Sequence, residues 1–187
     1  MKNSIEQQHI HLILGGARSG KSSYAEQLLK QYCSQRTSDH SNKVYIATAT
    51  ADDAEMQQRI NLHQQQRGSD WQLVEEPVNL AHAIQQYNDT DQFVLIDCLT
   101  LWLSNCLHQK CWLEQREAFL AALSDYSGTL LMVSNEVGSG IVPMGELSRQ
   151  FVDESGWLHQ TVSKHCSSVT LVIAGLPLHL KQTIKEG

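Results

Sequence analysis

The sequence has no cluster of lysines and arginines. Its 14 basic residues are outnumbered by 20 acidic ones, for a formal net charge of −6. Nucleic-acid binders carry a basic patch or stripe, so neither DNA nor RNA is expected as a partner. An anionic ligand would have to be small and held by a local site. No Cys-x-x-Cys pair occurs among the five cysteines at 33, 98, 106, 111 and 166, which removes the common zinc and redox signatures. Scattered and odd in number, these cysteines read as reduced, mostly buried thiols of a cytoplasmic protein. No uncharged apolar run reaches the length of a membrane span. Lys2 is followed by the polar stretch Asn3 to His9 instead of the apolar core of a signal peptide. There is no internal repeat and no second domain boundary. Residues 1–9 read as a loose leader, and residues 10–187 as one domain.

What is present is a short apolar run leading into Gly15-Gly16-Ala17-Arg18-Ser19-Gly20-Lys21-Ser22. This is the P-loop pattern G-x-x-x-x-G-K-[ST], and its context is the required one: a strand before it and a helix after it. Residues 10–14 read as a buried strand. Ala25, Leu28, Leu29 and Tyr32 recur at i, i+3, i+4, i+7, an apolar helical stripe. Glycines let the backbone curl so that several N–H groups converge on phosphate oxygens, and the following helix turns its positive end to the same anion. Lys21 can then reach the β/γ-phosphates, and the Ser22 hydroxyl can ligate Mg²⁺. A Gly-rich strand-to-helix turn without a ligand would need no Lys-Ser pair there.

Further strands are expected at Val44–Ala47, Trp71–Val74, Phe93–Ile96, Leu130–Val133 and Val169–Ala174. Helical periodicity marks segments from Asp52 (Met56, Ile60, His63), from Leu80, from Leu99, around Trp112–Leu123, and over Leu147–Val162, where Gly156 is a candidate interruption. Cys33 to Lys43 is polar, Ser-rich and aperiodic, a surface loop. Continuously apolar strands alternating with helices specify an α/β fold: a single, mostly parallel sheet with helices on both faces.

Several residues outside the P-loop could carry chemistry. Asp97 ends an apolar strand, where a P-loop protein places a carboxylate near Mg²⁺; equally, a strand-end Asp can cap the next helix. His63 is one of nine histidines and shares a helix face with Met56 and Ile60, which fits a packed or solvated ring. Arg59 lies one turn before it and Arg67 one turn after, which suits phosphate, and imidazole can attack phosphorus to form a covalent intermediate. Glu75 and Glu76 form either a solvated acidic turn or a carboxylate acceptor for the N1–H and 2-amino donors of guanine. Asn135-Glu136-Val137-Gly138 stands just past a strand, at the edge where ligands gather in open α/β sheets. Against a GTPase switch, the chain has no Asn-Lys-x-Asp motif, and Asp125-Tyr126-Ser127-Gly128 precedes a strand instead of following one.

Taken together, these segments resemble the bifunctional adenosylcobinamide kinase/adenosylcobinamide-phosphate guanylyltransferases of cobalamin biosynthesis. The resemblance runs from about Ile10 to Lys181. It is carried by the P-loop string, by Tyr45-Ile46-Ala47-Thr48, and by the run holding Asp53, Glu55-Met56, Arg59-Ile60, His63, Arg67 and Trp71. It continues through Asp97, Ser134-Asn135-Glu136-Val137-Gly138, Gly140-Ile141-Val142-Pro143, and Arg149, Phe151, Asp153 and Gly156. The resemblance implies a RecA-like P-loop fold, a homotrimer and two reactions. In the first, a nucleoside triphosphate (ATP or GTP) phosphorylates adenosylcobinamide. In the second, GTP guanylylates an enzyme histidine, which passes GMP to the phosphorylated corrinoid. The family's histidine falls at His63, with Lys21 as its catalytic companion in the P-loop. Nucleotide contacts carry over to the P-loop, Thr48, Ala49 and Thr50, Gln64, Gln65, Gln66 and Arg67, Glu75 and Asp97; the candidate Mg²⁺ ligands remain Ser22 and Asp97, read from the P-loop pattern and the strand end. In place of the adjacent histidine pair of some relatives, Leu62 precedes His63, and His159-Gln160 stands where Asn-Gln is expected.

Overall fold

A computed structural model describes residues 9–35, 42–49 and 71–182. The helix expected from Asp52 lies outside these residues. So do Thr50, His63, Gln64, Gln65, Gln66 and Arg67, and all but the last residue of the expected leader.

Seven strands form one sheet in the order β3-β2-β4-β5-β1-β6-β7. They are β1 (His9–Gly15), β2 (Asn42–Ala47), β3 (Trp71–Glu75), β4 (Gln92–Asp97), β5 (Thr129–Asn135), β6 (Ser168–Ile173) and β7 (Leu176–Gln182). All pairings are parallel except β6 with β7. The helices are α1 (Lys21–Gln35), α2 (Leu80–Gln86), α3 (Leu99–His108), α4 (Trp112–Ser124) and α5 (Glu146–His165).

Strand pleating sends alternate residues to opposite faces, and both faces of this sheet are apolar. Ile10, Leu12, Val44, Ile46, Val94, Ile96, Leu130 and Met132 pack on one side against α2, α3, α4 and α5. Ile13, Tyr45, Phe93, Leu95, Leu131 and Val133 face the other side, where Ala25 and Leu29 of α1 meet them. Strands buried on both faces read as unbroken apolar runs rather than alternating ones, which is why the sheet was legible as parallel. The larger core centres on Trp102. Its ring meets Trp112 and Phe119 at 5.2 and 4.9 Å, and its Nε1–H donates to the Val78 carbonyl at 2.6 Å.

Three details depart from the sequence reading. Helix α1 runs to Gln35, into the stretch from Cys33 that reads as a surface loop. Gly156 does not interrupt α5; the helix continues through it for a total of 20 residues, anchored by buried Ser155, Leu158 and Val162. The chain also does not end its sheet at β6. A two-residue turn, Ala174-Gly175 with φ of 52° and 78°, returns β7 antiparallel along the edge. That positive-φ pair is the turn whose twist suits a tight hairpin.

Candidate active site

Parallel strands put all their carboxyl ends on one edge, and the register lines up the expected residues there. Gly15 lies opposite Asn135. Ala47 lies opposite Asp97 on one side and Glu75 on the other. Asp97 in turn lies opposite Val133. Strand β5 therefore separates the P-loop strand from the Asp97 strand and reaches Asn135 and Glu136 between them.

The loop from Gly15 to Lys21 is held from several sides. Ser19 N–H donates to the Gly16 carbonyl at 3.2 Å, and Tyr24 N–H to the Gly20 carbonyl at 2.9 Å. Arg18 and Gly20 take φ of 58° and 93°. Gly15 is a close-approach glycine: a Cβ there would stand 2.4 Å from Ser19 Oγ and 2.6 Å from the Val172 carbonyl oxygen. Glu136 N–H donates to the Gly15 carbonyl at 3.0 Å, tying the end of β5 to the start of the loop. Gly16, Ala17, Arg18 and Gly20 are exposed. Lys21 opens α1, and its side chain lies folded over the loop, with Nζ donating to the Gly16 carbonyl at 3.1 Å. This ammonium is already aimed at the inside of the loop, where an anion would sit. Ser22 follows it in the first turn of α1.

Asp97 is half-buried, and Tyr45 donates its hydroxyl to Asp97 Oδ2 at 2.9 Å. Cys98, not Asp97, is the N-cap residue of α3, with no side-chain cap bond. Of the two readings the sequence left open, helix capping is therefore not what Asp97 does. Its carboxylate is oriented by Tyr45 at the sheet edge. The set Ser22 and Asp97 offers hard oxygen donors, and the phosphates of a substrate would add more. That suits Mg²⁺, which characteristically binds through one or two protein oxygens plus phosphates and water. No group of three or more His, Cys, Asp or Glu fit to hold a metal occurs among the described residues, so an ion here would depend on the nucleotide for its remaining ligands.

Thr48 is wholly buried. Its hydroxyl donates to the Cys98 carbonyl and accepts from Cys98 N–H, both at 2.8 Å. It fastens the end of β2 to the end of β4, leaving Ala49 partly exposed beside it. Asn105 Nδ2 donates to the Thr48 carbonyl at 2.9 Å. Glu75 ends β3, exposed. Its neighbour Glu76 is not a solvated turn residue: its Oε1 accepts the Val78 and Asn79 N–H groups at 2.9 and 2.7 Å, capping the start of α2.

Beyond Asn135, whose Nδ2 donates to Thr100 Oγ1 at 3.1 Å, Glu136 accepts N–H groups of Gly138 and Ser139 at 2.8 and 3.3 Å. Burial opposes its ionisation, but bonds from Ser139 and Gly138 and the field of His159 hold its carboxyl below the usual range. His159 Nε2 bonds Ser134 Oγ at 2.7 Å; burial lowers its pKa, with Glu136 opposing. Sequence reasoning did not find this Ser134–His159–Glu136 connection, because His159 lies 25 residues beyond Ser134 on a different element. It also missed Gly175, whose N–H donates to the Ser19 carbonyl at 2.8 Å. A signal for Gly175 was available: a glycine after an apolar run, followed by leucines at every second position.

The family model for cobinamide kinase / cobinamide phosphate guanyltransferase matches residues 11–180. The chain belongs to this family. Its activities are cobinamide kinase and cobinamide-phosphate guanylyltransferase in adenosylcobalamin biosynthesis. Among curated relatives, the bifunctional adenosylcobalamin biosynthesis protein CobP of Pseudomonas aeruginosa is 46% identical over 173 residues, covering 91% of this chain and 96% of the relative. The corresponding CobU proteins of Escherichia coli and Salmonella typhimurium are 33% and 30% identical over 186 residues, each covering 91% of this chain and 98% of the relative. The family is one of P-loop NTPases, in agreement with the loop described above. The phosphorylation and guanylylation both consume nucleoside triphosphate. No helix among the described residues is long and apolar enough to cross a membrane.

Proposed function

We propose that one site serves both reactions, with His63 as the covalent carrier of GMP. The observation that carries this reading is the placement of Lys21 and the Gly15–Gly20 loop at the same sheet edge as Asp97, one strand away, within a family match that spans His63. Lys21 Nζ and the loop N–H groups bind the triphosphate; Ser22 and the Tyr45-oriented Asp97 hold Mg²⁺. The ion supplies neutralisation of phosphate charge. In the kinase step, the substrate hydroxyl oxygen bonds to the γ-phosphorus, the bond to the β,γ-bridging oxygen breaks, and the proton leaves to solvent. Such a transfer needs mostly positioning and charge stabilisation. In the second reaction, a neutral His63 ring nitrogen bonds to the α-phosphorus of GTP and pyrophosphate departs. The phosphate oxygen of cobinamide phosphate then bonds to that phosphorus, the P–N bond breaks, and the histidine is regenerated.

Ala49, Thr50, Gln64, Gln65, Gln66, Arg67 and Glu75 complete the nucleotide contacts in this reading; Thr48, wholly buried and bonded to Cys98, positions this edge without touching the ligand. The substrate is adenosylcobinamide, the working form a cytoplasmic homotrimer, and residues 10–187 a single domain after a short leader. The decisive test is incubation with Mg²⁺ and α-labelled GTP, denaturation and peptide mapping. Acid-labile, alkali-stable label on His63, lost in His63→Ala while GTP binding is retained, is the expected result. GTP bound with no label on the chain and no pyrophosphate released would leave a kinase that never forms the guanylyl-enzyme.

A further inference from the structure

Strand β7 is exposed along its whole length, so burial does not explain its place on the sheet. Its hairpin does, however, reach the nucleotide loop. Three observations converge there. The Gly175 N–H donates to the Ser19 carbonyl at 2.8 Å. A Cβ on Gly20 would come within 3.2 Å of Gly175 Cα. The Val172 carbonyl, just before the turn, lies 2.6 Å from where a Gly15 Cβ would be. The hairpin tip thus packs on the loop at its first glycine, its last glycine and the serine between them.

A phosphate cradle needs its N–H groups turned inward, which turns carbonyls outward, and an outward carbonyl with no donor is costly when buried. The geometry points to the Ala174-Gly175 turn as a positioning element of the triphosphate site: Gly175 holds the Ser19 carbonyl outward and thereby keeps the loop N–H groups convergent on the phosphates. Gly175 takes a φ of 78° so that the chain can present that N–H to the loop and still turn back into β7, a conformation that costs little only for glycine or, less easily, asparagine. The base of the hairpin is fixed separately. Thr170 Oγ1 is shared between His11 Nε2 at 2.8 Å and His179 Nδ1 at 3.2 Å, linking β1, β6 and β7.

This inference rests on the reading that the triphosphate occupies the Lys21 loop, and the experiment separates the two. Affinities of the full-length chain for GTP with Mg²⁺ and for guanosine are measured side by side in Gly175→Val, Gly175→Asn and Lys21→Ala. Nothing lies within 4 Å of a Gly175 Cβ, so the valine acts through backbone conformation and not through a clash. Expected is a loss of about tenfold in GTP affinity for Gly175→Val, the size of a left-handed conformational penalty, with guanosine affinity unchanged. Gly175→Asn should restore GTP affinity to within about threefold, since asparagine adopts positive φ. If Gly175→Val does not fold, Gly175→Ala replaces it with the same criteria. GTP affinity unchanged in a folded valine or alanine variant overturns the inference, as does an equal loss for GTP and guanosine. Unchanged GTP affinity in Lys21→Ala would instead overturn the assignment of the triphosphate to this loop.

Discussion

Tyr45→Phe removes one oxygen atom from the buried face of β2 and should be felt as a change in magnesium dependence. The ring is 3% exposed and packs edge-on against Trp71 at 6.1 Å, contacts that phenylalanine keeps. What disappears is the hydroxyl that donates to Asp97 Oδ2 at 2.9 Å. A hydrogen bond to a charged group is worth about 1.5–3 kcal/mol. Asp97 is half-buried at an open edge, so water can replace the lost donor in part, which places the effect at the lower end. Partners that orient a metal-binding carboxylate typically matter by about 10–100-fold in metal affinity or activity. The expectation is therefore an increase of about tenfold in the Mg²⁺ concentration giving half-maximal γ-phosphoryl transfer, at saturating nucleotide. Thermal stability should fall by no more than about 1–2 kcal/mol. The assay is a magnesium titration of phosphoryl transfer from γ-labelled ATP or GTP to cobinamide. A variant with an unchanged magnesium curve and an intact fold would show that Tyr45 does not orient Asp97 for the ion.

Gly15→Ala should lower thermal stability by about 1–3 kcal/mol, because its Cβ meets a backbone carbonyl that has little room to yield, and nucleotide binding should fall with it; a variant as stable and as tight-binding as the parent would contradict the packing described. Self-guanylylation measured by label transfer should decline as pH drops below about 6.5, since protonated imidazole has no lone pair to attack phosphorus; label formation at full rate down to pH 5 would exclude a neutral histidine nucleophile with an ordinary pKa. Burial, and then the fields of His9 and His179, lower His11 from 6.5 to about 3. The unfolded chain therefore binds a proton that the fold refuses, so this contribution to stability is complete above 6.5 and is lost as pH falls toward 3. At pH 5 the loss from His11 is about 2 kcal/mol. Urea unfolding of the parent and His11→Asn at pH 7 and pH 5 reads it, and an equal pH shift in both chains would refute it.

The P-loop was legible because its chemistry fixes residue types at fixed spacing, and the inner strands because burial on both faces leaves unbroken apolar runs. Asp97 was legible as a position but not as a role. Whether a strand-end carboxylate caps a helix or turns toward a ligand depends on Tyr45, far upstream in the chain. Glu75 and Glu76 were read together, as a solvated acidic turn or a carboxylate acceptor, yet the sheet register carries Glu75 to the carboxyl edge of the sheet while Glu76 closes around the start of α2. Strand β7 escaped because it is fully exposed, contains Pro177 and joins by antiparallel pairing at an edge, so it carries neither the burial pattern nor the helix-strand alternation of the other strands. Gly156 looked like a helix break because glycine lowers helix propensity by only about 1 kcal/mol, a cost that packing of Leu158 and Val162 overrides without leaving a mark in the local sequence. The His63 segment, central to the family resemblance, lies outside the described residues.

The place of β1 in the middle of the sheet has a consequence for synthesis. The strand that carries the nucleotide loop leaves the ribosome well before the strands it pairs with: His9 pairs with Thr129, and His11 with Ser168. Pairings this far apart in sequence are slow to form. Until they do, Ile10 to Leu14 is an apolar strand with two open edges, the kind of segment that invites intermolecular pairing. Ribosome-stalled chains ending before β6 should therefore recruit chaperones while failing to retain GTP.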